Sequence, residues 1–175
     1  MVKKQNEREM QDQDFDEDED EEDSIKGRYL AFRVHEEDYG IEIQYVTEIV
    51  GIQKIAAVPD MPEFIKGVIN LRGQVIPVMD IRIRFRLPLK EYNERTCVIV
   101  VNYDDHPIGL VVDSVNEVTS IPEDSVCEPP RVAHNESARY IRGIGKVGDE
   151  VRIILDVSKL LYGNDVEAVA QVANS

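Results

Sequence analysis

With 175 residues, 42% of them apolar and 31% charged, the chain is long enough for one compact domain or two small ones, with a core that needs neither disulfides nor metal. Residues 1–24 carry three basic and twelve acidic side chains, net −9, which leaves −6 of the total −15 for the rest; that is a poor match for phosphate backbones, so no nucleic-acid partner is expected. Cys97 and Cys127 form no Cys-x-x-Cys pair and suit reduced thiols, and no run approaches the ~18 apolar residues of a membrane span, so a cytoplasmic protein without direct membrane insertion is expected.

Residues 1–26 read as an acidic, disordered tail, because Asp12–Asp23 holds ten acids and one aromatic, Phe15, too little apolar area to offset ordering entropy. Asp12, Asp14 and Asp16 alternate as in a calcium loop, but Glu17 stands where that loop needs glycine. From Gly27, strands are expected over Tyr29–Val34, Tyr39–Ile43 and Val46–Ile55, with a polar turn at His35–Asp38. Pro59 and Pro62 break the pattern, and one helical turn is expected before Gly67. Strands Val68–Leu71 and Val75–Met79 follow, joined at Arg72-Gly73, where Gly73 suits the positive φ of a type II turn.

Asp80–Arg86 alternates like a strand, yet Asp80 can also cap a helix. Its counterpart Asp156–Tyr162 decides between them: Val157, Leu160 and Leu161 have helical spacing and Gly163 is a stop, so both segments read as short helices. Between them lie strands near Thr96–Tyr103, Pro107–Val112, Val115–Ile121, Gly143–Val147 and Glu150–Leu155, with Pro122–Ser137 as a long loop and 166–175 as a C-terminal tail.

That counterpart belongs to a duplication. Phe64–Ile81 recurs as Tyr140–Val157 at a shift of 76, with Ile65/Ile141, Gly67/Gly143, Val75/Val151 and Asp80/Asp156 identical. Tyr39–Ile49 recurs as Ile108–Val118 at a shift of 69. Ten short strands and few helices give a mainly β fold of two small packed barrels, about 27–88 and 95–165. Whether segments are exchanged between them stays open.

His35, His106 and His134 stand alone in polar turns or loops; no Gly-x-Ser-x-Gly or phosphate-binding glycine loop occurs, and Gly143-x-Gly145 lacks a following helix. Neither a catalytic site nor a cofactor is expected. Arg72 has no counterpart in the second copy, and its functional reading is pairing with Glu48 or with a partner carboxylate. Glu48 is matched by Glu117 and Lys66 by Arg142, which favours structural roles for these.

Phe64–Arg82, preceded by Val46-Thr-Glu-Ile49 and followed by Gly109–Val115, resembles the bacterial chemotaxis coupling proteins of the CheW family, and the resemblance runs from about Tyr29 to Leu161. It implies a CheW-like domain over 27–165 with two SH3-like, five-stranded barrels and no catalytic activity. It also implies an adaptor joining the cytoplasmic tip of chemoreceptors to the regulatory domain of the kinase CheA, with other CheW copies alongside in membrane-associated arrays. Carried over by position, Val46, Glu48, Gly67, Arg72, Gly73 and Val118 would lie on or support partner surfaces, with Lys66 a weaker candidate. Val50 departs from the family, where a basic residue often follows Glu-Ile, and so does the acidic extension.

Overall fold

The structure, a computed structural model, describes residues 25–129 and 136–161; the expected acidic tail, the middle of the long loop and the C-terminal tail lie outside the described residues. The described strands are β1 (Arg28–Val34), β2 (Glu37–Glu42), β3 (Val46–Gly51), β4 (Ile65–Leu71), β5 (Gln74–Asp80), β6 (Cys97–Tyr103), β7 (His106–Val112), β8 (Ser114–Ser120), β9 (Val126–Cys127), β10 (Ile141–Val147) and β11 (Glu150–Leu155). Two short helices, α1 (Ile81–Arg84) and α2 (Val157–Leu161), follow β5 and β11. Strand β9 falls inside the stretch that reads as a loop, and β3 stops at Gly51 rather than Ile55. After Pro62 the expected helical turn is a reverse turn instead, closed by Ile65 N donating to Pro62 O at 3.0 Å.

The strands form two sheets, ordered β8-β1-β2-β11-β10-β9 and β3-β6-β7-β5-β4. Neither follows the chain. The hairpin β1–β2 from the first repeat joins the strands of the second, and the hairpin β6–β7 from the second joins the strands of the first. The exchange is reciprocal, so the parallel pair β5–β7 (Val78 opposite Gly109) is mirrored by the parallel pair β11–β2 (Ile154 opposite Gly40). Contiguous limits of 27–88 and 95–165 therefore do not enclose the two barrels.

Closure explains the glycine common to both repeats. Beyond β3 the chain bends back so that Ala56 bridges Val68 on β4, at the opposite edge of the sheet, with N···O distances of 2.8 and 2.9 Å. In the other barrel, β9, which follows β8, pairs with β10 at Val126 and Cys127. A Cβ on Gly67 would stand 2.0 Å from the Ala56 carbonyl oxygen, and one on Gly143 would stand 2.7 Å from Val126 Cγ1. Both positions need the missing side chain because another strand crosses there.

Three apolar clusters result. Ile69, Ile76, Val78, Val98, Val100 and Val111 fill the first barrel, and Tyr29, Ile121 and Ile154 fill the second. The largest cluster lies between them and includes Leu30, Phe32, Ile41, Met79, Ile99, Val101, Leu110 and Leu160. Along β6 the side chains alternate between barrel and seam, with Val98 and Val100 inside and Ile99 and Val101 outside. Both faces are buried, and so Val98–Val101 reads as an unbroken apolar run.

Candidate partner-binding surfaces

Glu48 and Arg72 sit on opposite edges of the first sheet, Glu48 on β3 and Arg72 in the β4–β5 turn. Barrel closure carries these edges together, and Arg72 Nη2 donates to Glu48 Oε1. The pair is a surface one, with the Arg72 side chain 77% exposed. Its turn differs from the expected type II. Both central residues have positive φ, +53° at Arg72 and +83° at Gly73, the signature of a type I′ turn, which matches the twist of a two-residue hairpin. The Asn70 side-chain oxygen accepts from Gly73 N at 2.9 Å and holds the turn shut. Arg72 thus occupies a left-handed conformation that a non-glycine residue adopts at a cost.

The other expected residues divide by location. Val46 is half-buried against the seam core, next to a bulge between Val46 and Glu48 in the pairing of β3 with β6. Gly67 is buried at the closure point and presents nothing to solvent, while Gly73 is exposed in the turn. Lys66 is exposed beside the connector residues Leu89–Tyr92. Val118 lies on β8 of the other barrel and is 50% exposed. Glu48, Arg72 and Gly73 are therefore gathered at one place, and Val118 belongs to another.

The surface has a feature of which reading the sequence for site residues named only Val118. Ile49 and Val75 on the first barrel are 43% and 49% exposed, and their repeat counterparts Val118 and Val151 on the second are 50% and 53% exposed. Shifts of 69 and 76 relate the two pairs, so each barrel displays an aliphatic residue at the same two positions. The repeat itself was the signal that could have found them. The charge around them differs: Glu117 replaces Glu48, but Gly148 takes the place of Arg72, leaving Glu117 without the arginine its counterpart holds.

Behind these faces the two barrels are fixed to one another. Arg82, from α1, is 7% exposed and binds Asp113 side-on, Nε to Oδ1 at 2.8 Å and Nη2 to Oδ2 at 2.5 Å. Asp113 is the residue at which the chain crosses from β7 in one sheet to β8 in the other, and it also accepts from His35 N at 2.8 Å. Burial pushes the Asp113 carboxyl up, but the hydrogen bonds from Arg82 and His35 N, with the charges of Arg82 and Lys90, outweigh it and hold it below the usual range. Arg82 Nη1 also donates to Pro88 O at 2.6 Å, and the Tyr92 hydroxyl donates to Asp80 Oδ2 at 2.6 Å, so the connector after α1 is tied to the first barrel. Burial and then the Asp80 carboxylate push the Tyr92 hydroxyl well above the ordinary phenol range.

Among the described residues, no group of three or more His, Cys, Asp or Glu side chains could hold a metal ion, and no helix is long and apolar enough to cross a membrane. A profile of the CheW-like domain matches residues 28–164. The chain is 35% identical over 153 residues to the chemotaxis protein CheW of Klebsiella aerogenes, covering 87% of this chain and 92% of that one. It is 33% identical over 134 residues to CheW of Bacillus subtilis, covering 77% and 86%. The crystal structure of the scaffolding protein TtCheW from Thermoanaerobacter tengcongensis superposes with a TM-score of 0.73 at 36% identity, covering 79% of this chain and 94% of that chain.

Proposed function

Because the chain belongs to the CheW-like domain family of chemotaxis scaffold proteins, we propose that it couples the cytoplasmic tips of chemoreceptors to the regulatory domain of the kinase CheA. In this reading it has no catalytic role and acts in the cytoplasm, associated with membrane arrays through its partners. The observation that carries the reading is the duplicated aliphatic display, Ile49 and Val75 on one barrel and Val118 and Val151 on the other. Exposed apolar pairs on a rigid frame suit docking to proteins. Two such faces on one chain suit bridging, and the difference in charge between them suits two different partners.

On the first barrel the Glu48–Arg72 pair, Gly73 and Val46 form or support one docking face, with Lys66 at its margin and Gly67 acting through the backbone it lets close. Val118 marks the second face. Other copies of the chain in an array would use the same two faces. The test is titration of the isotope-labelled protein with a chemoreceptor tip fragment and, separately, with a CheA regulatory domain, followed by backbone NMR shifts. Two distinct patches are expected, one including Glu48 and Arg72. Arg72→Glu should weaken binding at that patch without unfolding the protein. No response to either partner from a well-folded sample would reject the coupling role and leave the fold untouched.

A further inference from the structure

Arg82 and Arg152, the arginines buried beneath the surface, each hold a carboxylate, Arg82 through Asp113 and Arg152 through Asp38 and Glu150. Arg84, on the same short helix as Arg82, has no carboxylate partner among the described residues. Its guanidinium carbon lies 3.9 Å from the centroid of the Phe64 ring and 4.7 Å from that of Tyr140. Its Nε is buried and without a hydrogen-bond partner. Phe64 and Tyr140 are repeat counterparts at a shift of 76, so the guanidinium sits between equivalent rings of the two barrels. The counterpart of Arg84 itself is Leu160, fully buried in the seam core, and the clamp therefore holds one cation. The rings pack against the guanidinium, and its Nε–H, buried without an acceptor, and its Nη hydrogens are left to be satisfied. Arg82 shows what a guanidinium edge takes, a carboxylate held side-on.

We propose that the clamped Arg84 is the docking site for a carboxylate from this chain's own acidic segment, Asp12–Asp23. Its ten acids complement a seam cation that lacks a counter-charge among the described residues. In the sheet order β1-β2-β11-β10, Tyr29 faces Glu42 on β2, Glu42 is ion-paired to Arg142 on β10, and Tyr140 stands just before β10. Three inter-strand spacings separate Tyr29 from that end of β10, about 14 Å. Residues 25–28 are held in a turn and at the start of β1, with Gly27 O accepting from Ile121 N, so the reach comes from the chain before Ile25: the thirteen steps back to Asp12 span up to about 43 Å extended, enough for acids of the segment to arrive. Tethering puts them at an effective concentration in the millimolar range, and an external acidic segment would have to displace them. The inference is independent of which partners the barrel faces take.

The test compares the native chain with one in which the ten acids of Asp12–Asp23 are replaced by their amides, a change that leaves every described residue intact. The readout is the Nε–Hε cross-peak of Arg84 in an arginine-labelled sample. In the native chain it should be shifted downfield and slow to exchange; in the amide variant, and in the native chain at high salt, it should move upfield and be lost to exchange with water. Arg84→Gln should abolish the salt-dependent shifts of the Asp12–Asp23 amides while leaving those elsewhere unchanged. An Arg84 cross-peak identical in both chains would overturn the proposal. So would changes spread equally over other arginines such as Arg28 and Arg95, which would mean general screening, or an Arg84 signal that moves only when a partner fragment is added.

Discussion

Gly67→Ala should be among the most damaging single-methyl changes in this protein. The added Cβ would stand 2.0 Å from Ala56 O, 2.8 Å from Ala56 C and 3.0 Å from Ile55 Cγ2, and two of these are backbone atoms that cannot rotate away. The backbone at Gly67 has φ +149°, which side chains disfavour. Overpacking of this kind costs about 1–3 kcal/mol, and backbone strain of order 1–3 kcal/mol. The bridge must open to relieve the clash, which loses its two hydrogen bonds at about 0.5–1.5 kcal/mol each. These contributions overlap, and a total of about 3–5 kcal/mol is expected. With a urea dependence of about 2 kcal/mol per molar, the unfolding midpoint should fall by about 2 M. Gly73→Ala is the control: φ is +83° there, but nothing lies within 4 Å of the added Cβ, so strain alone should act, at about 1 kcal/mol. Amide exchange at Ala56 and Val68 should accelerate in the first variant and not in the second. Equal destabilisation by the two changes, or unaltered exchange at the bridge, would refute the closure argument and return Gly67 to the list of direct partner contacts.

The Arg82–Asp113 contact should shape the acid limb of the stability curve. The Asp113 carboxyl is held below its ordinary value of 3.8 in the folded state, so its stabilisation is complete above about pH 4 and is lost as pH falls through the lower folded value. Asp113→Asn should lower stability at pH 7 by about 3–5 kcal/mol, because it leaves the Arg82 charge buried without its counter-ion, and should flatten the acid limb of the stability curve; an acid limb unchanged from the native chain would contradict the assignment. The exposed Glu48–Arg72 pair should give a coupling energy of about 0.2–1 kcal/mol in a double-mutant cycle of denaturation, falling with added salt. A coupling of several kcal/mol would mean that the pair is structural rather than a surface group available to partners.

Much of this was legible in the residues because it depends on local pattern. Period-two alternation placed the strands, and comparison of the two copies decided that Asp80–Arg86 is a helix, which capping bears out: Arg82 N donates to Asp80 Oδ1 at 2.9 Å. The Glu48–Arg72 pair could be named because a turn arginine without a repeat partner stands out. The turn type was misread because glycine at the third position suits both type II and type I′, and hairpin twist, not composition, selects between them. Strand β9 was missed because two residues of pairing have no periodicity to detect.

What the sequence determined by itself was the inventory: two copies of one β unit, the absence of catalytic motifs, and a family. Which hairpin completes which barrel was decided in three dimensions. Local strand propensity is the same whichever copy β1–β2 and β6–β7 complete, so it does not choose between the arrangements. Pairing β5 with β7 and β2 with β11 buries both faces of the exchanged strands and builds the seam around Phe32, Ile99 and Leu110, with Asp113 locked by Arg82 at the crossing. That burial depends on contacts far apart in the chain, and so it is a property of the packed structure rather than of any stretch of residues.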